Sequence, residues 1–460
     1  MTGREDRLKG KFGMKGFIGL CFAAWALSGA AAGSSREGDL DLLRQQHTLT
    51  DAAFNRAVEE IVASAPRYAR VGSIGSSQEG RRITLVTVTD FASGGEEKPA
   101  YFIQGHIHSK EMSGTVAALH LLKRLLRDAP DSDLLRKFVF YVVPRCNPDG
   151  AERMVRTPGD ERSGWGEPTR KPNAFEPCDV NGDGRVTMMR KATPGAGMIA
   201  APNGRGMCGR GKDKEARGYV LMMEGVYHDW DGKFVGRNTP WWREWLDWNR
   251  NWPWGWRADQ RGAGKAPLCV PEVKLQHDWI LAHRNIKASI CLHNGWGCVM
   301  MPVVADAARK DEVRRLARRA GELCGQWVRY DQTPPPSEGV RMPSSGTFDD
   351  WMMNGFGVPC LTVELGTRET SAGVSSAFCF TTKHYPYDNV VEVIEEQKAH
   401  PEFGKCIYEW KKAVHPQIGE VEIGGACPSR FACPTAEYLL KVTDGVYAFL
   451  VEHARELVAR

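Results

Sequence analysis

The sequence predicts an α/β fold: a single α/β/α sandwich around a mixed, mostly parallel twisted sheet, with a loop-rich insertion. Three observations carry this. Runs of strand length, rich in β-branched and aromatic residues, alternate with segments whose apolar residues recur every three to four positions. The alternation starts near residue 50 and resumes toward the end of the chain, as in a sheet flanked by helices whose functional groups sit where strands end and loops begin. Between residues 150 and 245 the rhythm is lost in a stretch rich in Gly, Pro, Asp, Arg and Trp, which reads as an insertion into one domain.

Taken in order, Arg7, Lys9, Lys11 and Lys15 precede an apolar run over 16–27 and the small residues Ser28-Gly29-Ala30-Ala31-Ala32. That pattern reads as an export signal over 1–32, implying a secreted or periplasmic protein. The run is shorter than the ~20 residues a bilayer span needs, so no stable membrane span is expected once the signal is removed; an uncleaved anchor is the alternative. A polar segment, 33–49, leads into a helix over 50–66 with Ala53, Phe54, Val58, Ile61 and Val62 on one face and Pro66 at its end. Strands are expected over 83–89, 100–104, 138–143, 286–292 and 361–365. Between them, residues 114–126 repeat apolar side chains at Val116, Leu119, Leu122 and Leu126. Residues 306–327 and 436–459 read as further helices.

With 42% hydrophobic and 25% charged residues, the 460-residue chain has an ordinary globular composition, which excludes wholesale disorder and a polytopic membrane protein. Removing residues 1–32 lowers the formal charge of +5 to about +2, so nucleic acid is not expected as a partner. It also removes Cys21 from the 13 cysteines. An even number in an exported chain is compatible with disulfides, Cys427 and Cys433 being spaced to close a small loop; buried thiols are the alternative.

The chemistry concentrates in a few strings. Gln104-Gly105-His106-Ile107-His108-Ser109-Lys110-Glu111 follows a strand and opens a helix, so that His108 and Glu111 can offer imidazole nitrogen and carboxylate oxygen to one zinc ion. His106, two residues earlier, is a rival ligand by strand alternation. A catalytic zinc takes three protein ligands, and His293, at the end of an apolar strand before Asn294-Gly295, can supply the third. In Asp247-Trp248-Asn249-Arg250-Asn251 an amide beside a guanidinium fork is suited to clamp a carboxylate. Glu364 stands alone in the apolar strand Leu361-Thr362-Val363-Glu364-Leu365, where a carboxylate is costly unless paired or functional; it is a candidate general base, with an ion pair to Arg368 the bland alternative.

Together these strings resemble the zinc carboxypeptidases related to carboxypeptidases A and B. The resemblance runs in the family's order from Ser73-Ile74-Gly75-Ser76-Ser77-Gln78-Glu79-Gly80-Arg81 through Glu111, Asn147-Pro148-Asp149-Gly150, Asn249-Arg250 and His293 to the Glu364 strand, making 50–460 the catalytic domain. It implies one catalytic Zn2+ on His108, Glu111 and His293, with Asp247 orienting His108. Asn249 and Arg250 would take the terminal carboxylate of a peptide or peptide-like substrate, and Glu364 would activate water. An arginine upstream of the Asn-Arg pair polarises the scissile carbonyl in the family, and Met189-Arg190-Lys191 best matches it, so Arg190 is expected there. The family's mobile-loop tyrosine is missing; Met342 falls about at its place, and Tyr330 is a candidate substitute. Ser345-Gly346-Thr347-Phe348-Asp349-Asp350-Trp351 resembles the family's Ser-Gly-Gly-Ser-x-Asp-Trp. Asp349 then lines the pocket for the C-terminal side chain and implies a preference for basic residues or a diaminopimelate-type amine.

Within the insertion, Asp179, Asn181 and Asp183 are spaced like the first half of an EF-hand loop, but the twelfth position is Arg190. A partial Ca2+ site, completed by Asp229 and Asp231, stands against a solvated turn. Trp241, Trp242, Trp245, Trp248, Trp252, Trp254 and Trp256 either stack on a ligand or pack beneath the insertion. Besides a carboxypeptidase, the residues leave open an amidohydrolase of acyl-amino acids or peptidoglycan stem peptides, and a non-catalytic binding module.

Overall fold

The computed structural model describes residues 29–95, 97–128, 133–156, 162–200, 207–209, 215–233, 240–295, 297–330, 345–366, 407–426 and 434–460. Most of the expected export signal, the Cys427/Cys433 pair, Met342 and Arg368 lie outside them. The chain divides into two compact units, Met1–Asp39 and Leu40–Arg460. Of the first, residues 29–39 are described and helical. The second carries the fold and the site.

Its centre is an eight-stranded sheet in the order Ala69–Ser76, Arg82–Val88, Val139–Val143, Ala100–Gly105, Ile286–His293, Cys360–Glu364, Cys298–Met300, Trp327–Arg329. The four strands from Val139–Val143 to Cys360–Glu364 run parallel, and antiparallel pairs join them to the outer strands. Both faces are covered, which is why these strands read as unbroken apolar runs. On one face the helices Asp51–Ala63, Ser113–Arg127, Lys310–Cys324 and Ala436–Ala459 supply Phe54, Val58, Val116, Leu119, Val313, Leu316, Val446 and Phe449 to the larger core. On the other face the helix Pro271–Ala282 and the short helix Phe348–Trp351 pack with Trp248 and Trp252 over Phe102, Tyr141 and Cys291.

The helix ends follow local chemistry. Thr50 accepts from the Ala53 N–H, and Thr435 from the Tyr438 N–H, each capping its helix. The helix expected over 306–327 is confined to Lys310–Cys324. Gly325, at φ 64°, ends it, and Trp327–Arg329 turns into an edge strand of the sheet. Among the described residues no helix is long and apolar enough to cross a membrane.

The insertion is more ordered than its sequence suggests. Met188–Ala192, Tyr219–Met223, Met198–Ala200 and Met207–Gly209 form one antiparallel sheet, whose other two strands, Ile407–His415 and Gly419–Ala426, come from far along the chain. Two further ribbons pair Ala174–Pro177 with Gly225–His228, and Gly164–Pro168 with Arg243–Leu246. Strands of three to five residues are too short for a period-two pattern to stand out from their turns.

Candidate metal centre

Three chain segments converge at the C-terminal end of the parallel strands. His293 is the last residue of its strand, and the register places it directly beside Glu364 on one neighbour, while Leu292 lies beside Gly105 on the other. His108 and Glu111 occupy the loop between Gly105 and the helix that begins at Ser113. Two glycines set that loop against the sheet. A Cβ on Gly105 would lie 2.7 Å from the Gly114 carbonyl oxygen, and one on Gly114 would lie 2.7 Å from the His106 nitrogen, so the helix can start this close to the strand only because both side chains are missing.

The three residues form a buried cluster suited to a metal ion. His108 Nδ1 lies 2.8 Å from Glu111 Oε1, His293 Nδ1 lies 2.8 Å from Glu111 Oε2, and the two Nδ1 atoms are 3.2 Å apart. Tetrahedral zinc with bonds of ~2.0–2.1 Å separates its ligand atoms by roughly 3.3 Å. The spacing therefore fits, and three converging lone-pair donors in a buried place call for a cation. Burial opposes ionisation of Glu111, but His108 and His293 hold its carboxyl well below the ordinary range. His106 is not part of the cluster. At φ 65° it turns away, Nδ1 to the Thr115 hydroxyl at 2.6 Å and Nε2 to the Ser109 carbonyl at 3.0 Å, and burial pushes its pKa down to about 3.

Asp247 joins the cluster to everything around it. Its Oδ1 lies 3.0 Å from His108 Nε2 and accepts from the Asn249 N–H at 2.9 Å, while Oδ2 accepts from Arg162 Nε at 3.0 Å. Burial works against the charge, but Arg162, His108 and Arg250 hold its carboxyl well below the carboxylate range. This orients both the imidazole, as metal-bound histidines require, and the short helix Trp248–Arg250 that carries the Asn-Arg pair. Asn249 Oδ1 accepts from the Phe348 N–H at 2.8 Å, which leaves its NH2 to donate elsewhere, and Arg250 Nη1 donates to the Asn249 carbonyl.

Glu364 is buried beside His293, 3.6 Å from where a Cβ on Gly295 would stand. Asp349 is buried too, accepting from the Thr362 hydroxyl at 3.0 Å and the Asp350 N–H at 3.1 Å. Since Thr362 and Glu364 share the strand, Asp349 sits two residues down from the general-base candidate. Burial and the Asp349 charge push the neighbouring Asp350 up to about 8.

Arg190 is not brought here. It pairs with Glu422 at 2.7 Å and lies between the rings of Trp410 and Tyr219, holding the insertion's sheet together. The arginine at the cluster is Arg162, whose Nη1 donates to Glu111 Oε1 at 2.9 Å. Burial opposes its charge, but Asp247 and Glu111 raise its pKa further. Its one sequence signal is its place between Asn147-Pro148-Asp149-Gly150 and the Asn-Arg pair, which Arg190 shares.

The strings quoted from the two ends of the N-terminal half also meet. Asp149 accepts from the Ser77 hydroxyl, the Glu79 N–H and Arg81, and Asn147 donates to the carbonyls of Ile107 and Ser163, bracing the loop that carries His108. The calcium expectation is not supported. Asp179 accepts from the N–H groups of Gly182, Asp183 and Gly184, Asn181 from that of Asp183, and Asp183 from that of Arg185, so the loop satisfies its own oxygens. The tryptophans mostly pack: Trp248 and Trp252 are buried, and Trp241 lies against Trp165 and Phe175. Tyr330 is 36% exposed beyond the edge strand.

A family profile described as zinc carboxypeptidase matches residues 54–184 and 225–392. The chain belongs to that family. The profile passes over residues 185–224, where the insertion's sheet departs from the family pattern. Among curated relatives, carboxypeptidase B of Astacus astacus is 32% identical over 98 residues, 21% of this chain and 31% of the relative. Carboxypeptidase A4 of Mus musculus is 22% identical over 69% of this chain and 62% of its own. Less than two thirds of these relatives is spanned. The crystal structure of thrombin activatable fibrinolysis inhibitor aligns at a TM-score of 0.49 with 14% identity, covering 95% of this chain and 86% of that one.

Proposed function

We propose that this member of the zinc carboxypeptidase family removes C-terminal residues from peptides or peptide-like molecules with a free terminal carboxylate. One observation supports the reading above others: Asp247 links His108 of the metal cluster to the Asn249-Arg250 helix by hydrogen bonds, so carboxylate recognition and hydrolysis share one rigid unit. Zinc on His108, Glu111 and His293 would lower the pKa of a water molecule and polarise a carbonyl. The amide of Asn249 and the guanidinium of Arg250 take the substrate carboxylate through charge-assisted hydrogen bonds. That fixes which peptide bond reaches Glu364, whose carboxylate accepts the proton of the attacking water and returns it to the leaving amine. Arg162, in the role expected of Arg190, donates to the carbonyl oxygen as negative charge develops on it.

Asp349 supports the choice of side chain. A buried carboxylate in the pocket favours a cationic partner over an apolar one, which offers its charge no counter-ion, so C-terminal Arg, Lys or a diaminopimelate-type amine is preferred. Export through the signal read over 1–32 belongs to the same proposal. The decisive test compares matched peptides with free and amidated C termini, with and without a chelator. Chelator-sensitive cleavage of the free acid alone is expected; equal cleavage of the amide removes Asn249 and Arg250 from carboxylate recognition.

A further inference from the structure

A second cavity, of about 380 Å³, lies at the opposite end of the central sheet. Ile286, which begins the strand ending in His293, lines it, and so does Pro359, which immediately precedes the strand ending in Glu364. A strand of eight residues at ~3.3 Å each puts it roughly 23 Å from the metal cluster, so the two sites do not overlap.

Its lining is strongly cationic: Arg284, Lys287, Arg309 and Arg460 face a single carboxylate, Glu312. Arg460 donates to that carboxylate at 2.8 Å, and Arg309 Nε is 3.9 Å from it. Among the described residues, Arg284 and Lys287 pair with no carboxylate. Arg309 Nη1 donates to the Gly357 carbonyl, Lys287 to the Arg284 carbonyl, and Arg284 stacks over the Phe356 ring at 5.1 Å. The fifteen-residue helix Lys310–Cys324 starts here as well, adding the positive end of its dipole. A second kind of group faces the same space. His453, 2% exposed, is held at Nδ1 by the Tyr101 hydroxyl at 2.9 Å. With that hydroxyl as donor, the ring carries its proton on Nε2, and His453 lines the cavity as a neutral donor; burial, pushing its pKa down to about 4, keeps it neutral.

Guanidinium forks, a helix N-terminus and a buried neutral donor around one concavity are a site for an oxyanion. We propose that this cavity binds a small, multiply charged oxyanion of the phosphate type. The dominant force is Coulombic, so affinity falls as ionic strength rises. Recognition uses none of the groups of the metal centre.

The test is calorimetric titration of the zinc-loaded protein with inorganic pyrophosphate, with acetate as the singly charged control. Arg284 and Lys287 are exposed, so the double substitution Arg284→Ala/Lys287→Ala leaves the fold intact, checked by unchanged peptide turnover. Wild type and Arg250→Ala should bind one equivalent of pyrophosphate in preference to acetate, and the double variant at least about tenfold more weakly. Pyrophosphate could also ligate the zinc directly, with or without Arg250, and such binding would survive the double substitution unchanged, so the double variant separates the two sites. Binding unchanged in the double variant overturns the assignment, as does the absence of saturable binding at low salt.

Discussion

Removing Arg162 should uncouple catalysis from metal binding. Its guanidinium makes two contacts, with Glu111 at 2.9 Å and Asp247 at 3.0 Å, and its side chain is 24% exposed. Breaking a buried ion pair costs about 3–5 kcal/mol. This one is a quarter open to water, and in the zinc-loaded protein the ion itself balances Glu111, so Arg162→Ala should lose only about 1–3 kcal/mol of stability. The effect on turnover is larger. Loss of one donor to the developing oxyanion costs about 10²–10³ in kcat, and Arg162→Lys should restore only part of it, because an ammonium cannot hold both carboxylates in a fork. Arg190→Ala gives the mirror image. It breaks the Glu422 pair and two ring contacts at about 1–3 kcal/mol and leaves kcat/KM within about twofold of wild type. Kinetics, zinc content and thermal melting on both variants decide the matter. A hundredfold fall for Arg190→Ala, with Arg162→Ala near wild type, would refute the exchange of roles.

Glu364→Gln should keep its zinc and its fold while turnover falls at least ~10²-fold, since an amide cannot relay the proton; a near-normal rate shifts that role to another carboxylate. His293→Ala should lose the metal, and full zinc occupancy by elemental analysis would take it out of the ligand set. In Asp349→Ala, kcat/KM for peptides ending in Arg or Lys should drop while peptides ending in Phe or Leu gain, and unchanged ratios would show that another residue reads the side chain. Asp179→Ala should cost about 1 kcal/mol through the loss of three hydrogen bonds from backbone N–H groups, with melting of wild type and variant alike indifferent to calcium; a calcium-dependent rise in wild type alone would restore the metal site.

How far the sequence could be read depended on contrast. Glu364 and His293 end apolar runs, and a lone polar group at the end of a buried strand marks both the strand and the site. The helix Ala436–Ala459 was legible because 24 residues of regular periodicity leave little room for another reading. His106 was ambiguous because alternation holds only while the strand lasts; the strand stops at Gly105, and the next residue takes φ 65°. Arg162 had no contrast at all among the Gly, Asp and Arg residues around it. The insertion's sheet was hidden for another reason: Arg190 pairs with Glu422 across more than two hundred residues, and no local pattern records a partner so distant. The string from Asp179 to Gly184 misled because the turn that presents oxygens to calcium is the same turn that lets those oxygens take the backbone N–H groups.

The register that sets His293 beside Glu364 has an implication for how the chain tolerates change. Adding residues to the connections on either side of these strands leaves the pairing untouched, and the large excursion after residue 156 is one such addition. Losing a single residue within Cys360–Glu364 is different. The sheet would still close on an apolar strand, but the carboxylate would point to the opposite face, under the helices. A carboxylate without a counter-ion in that core is costly, so such a molecule would lose stability together with activity, whereas one lengthened in its connections would keep both.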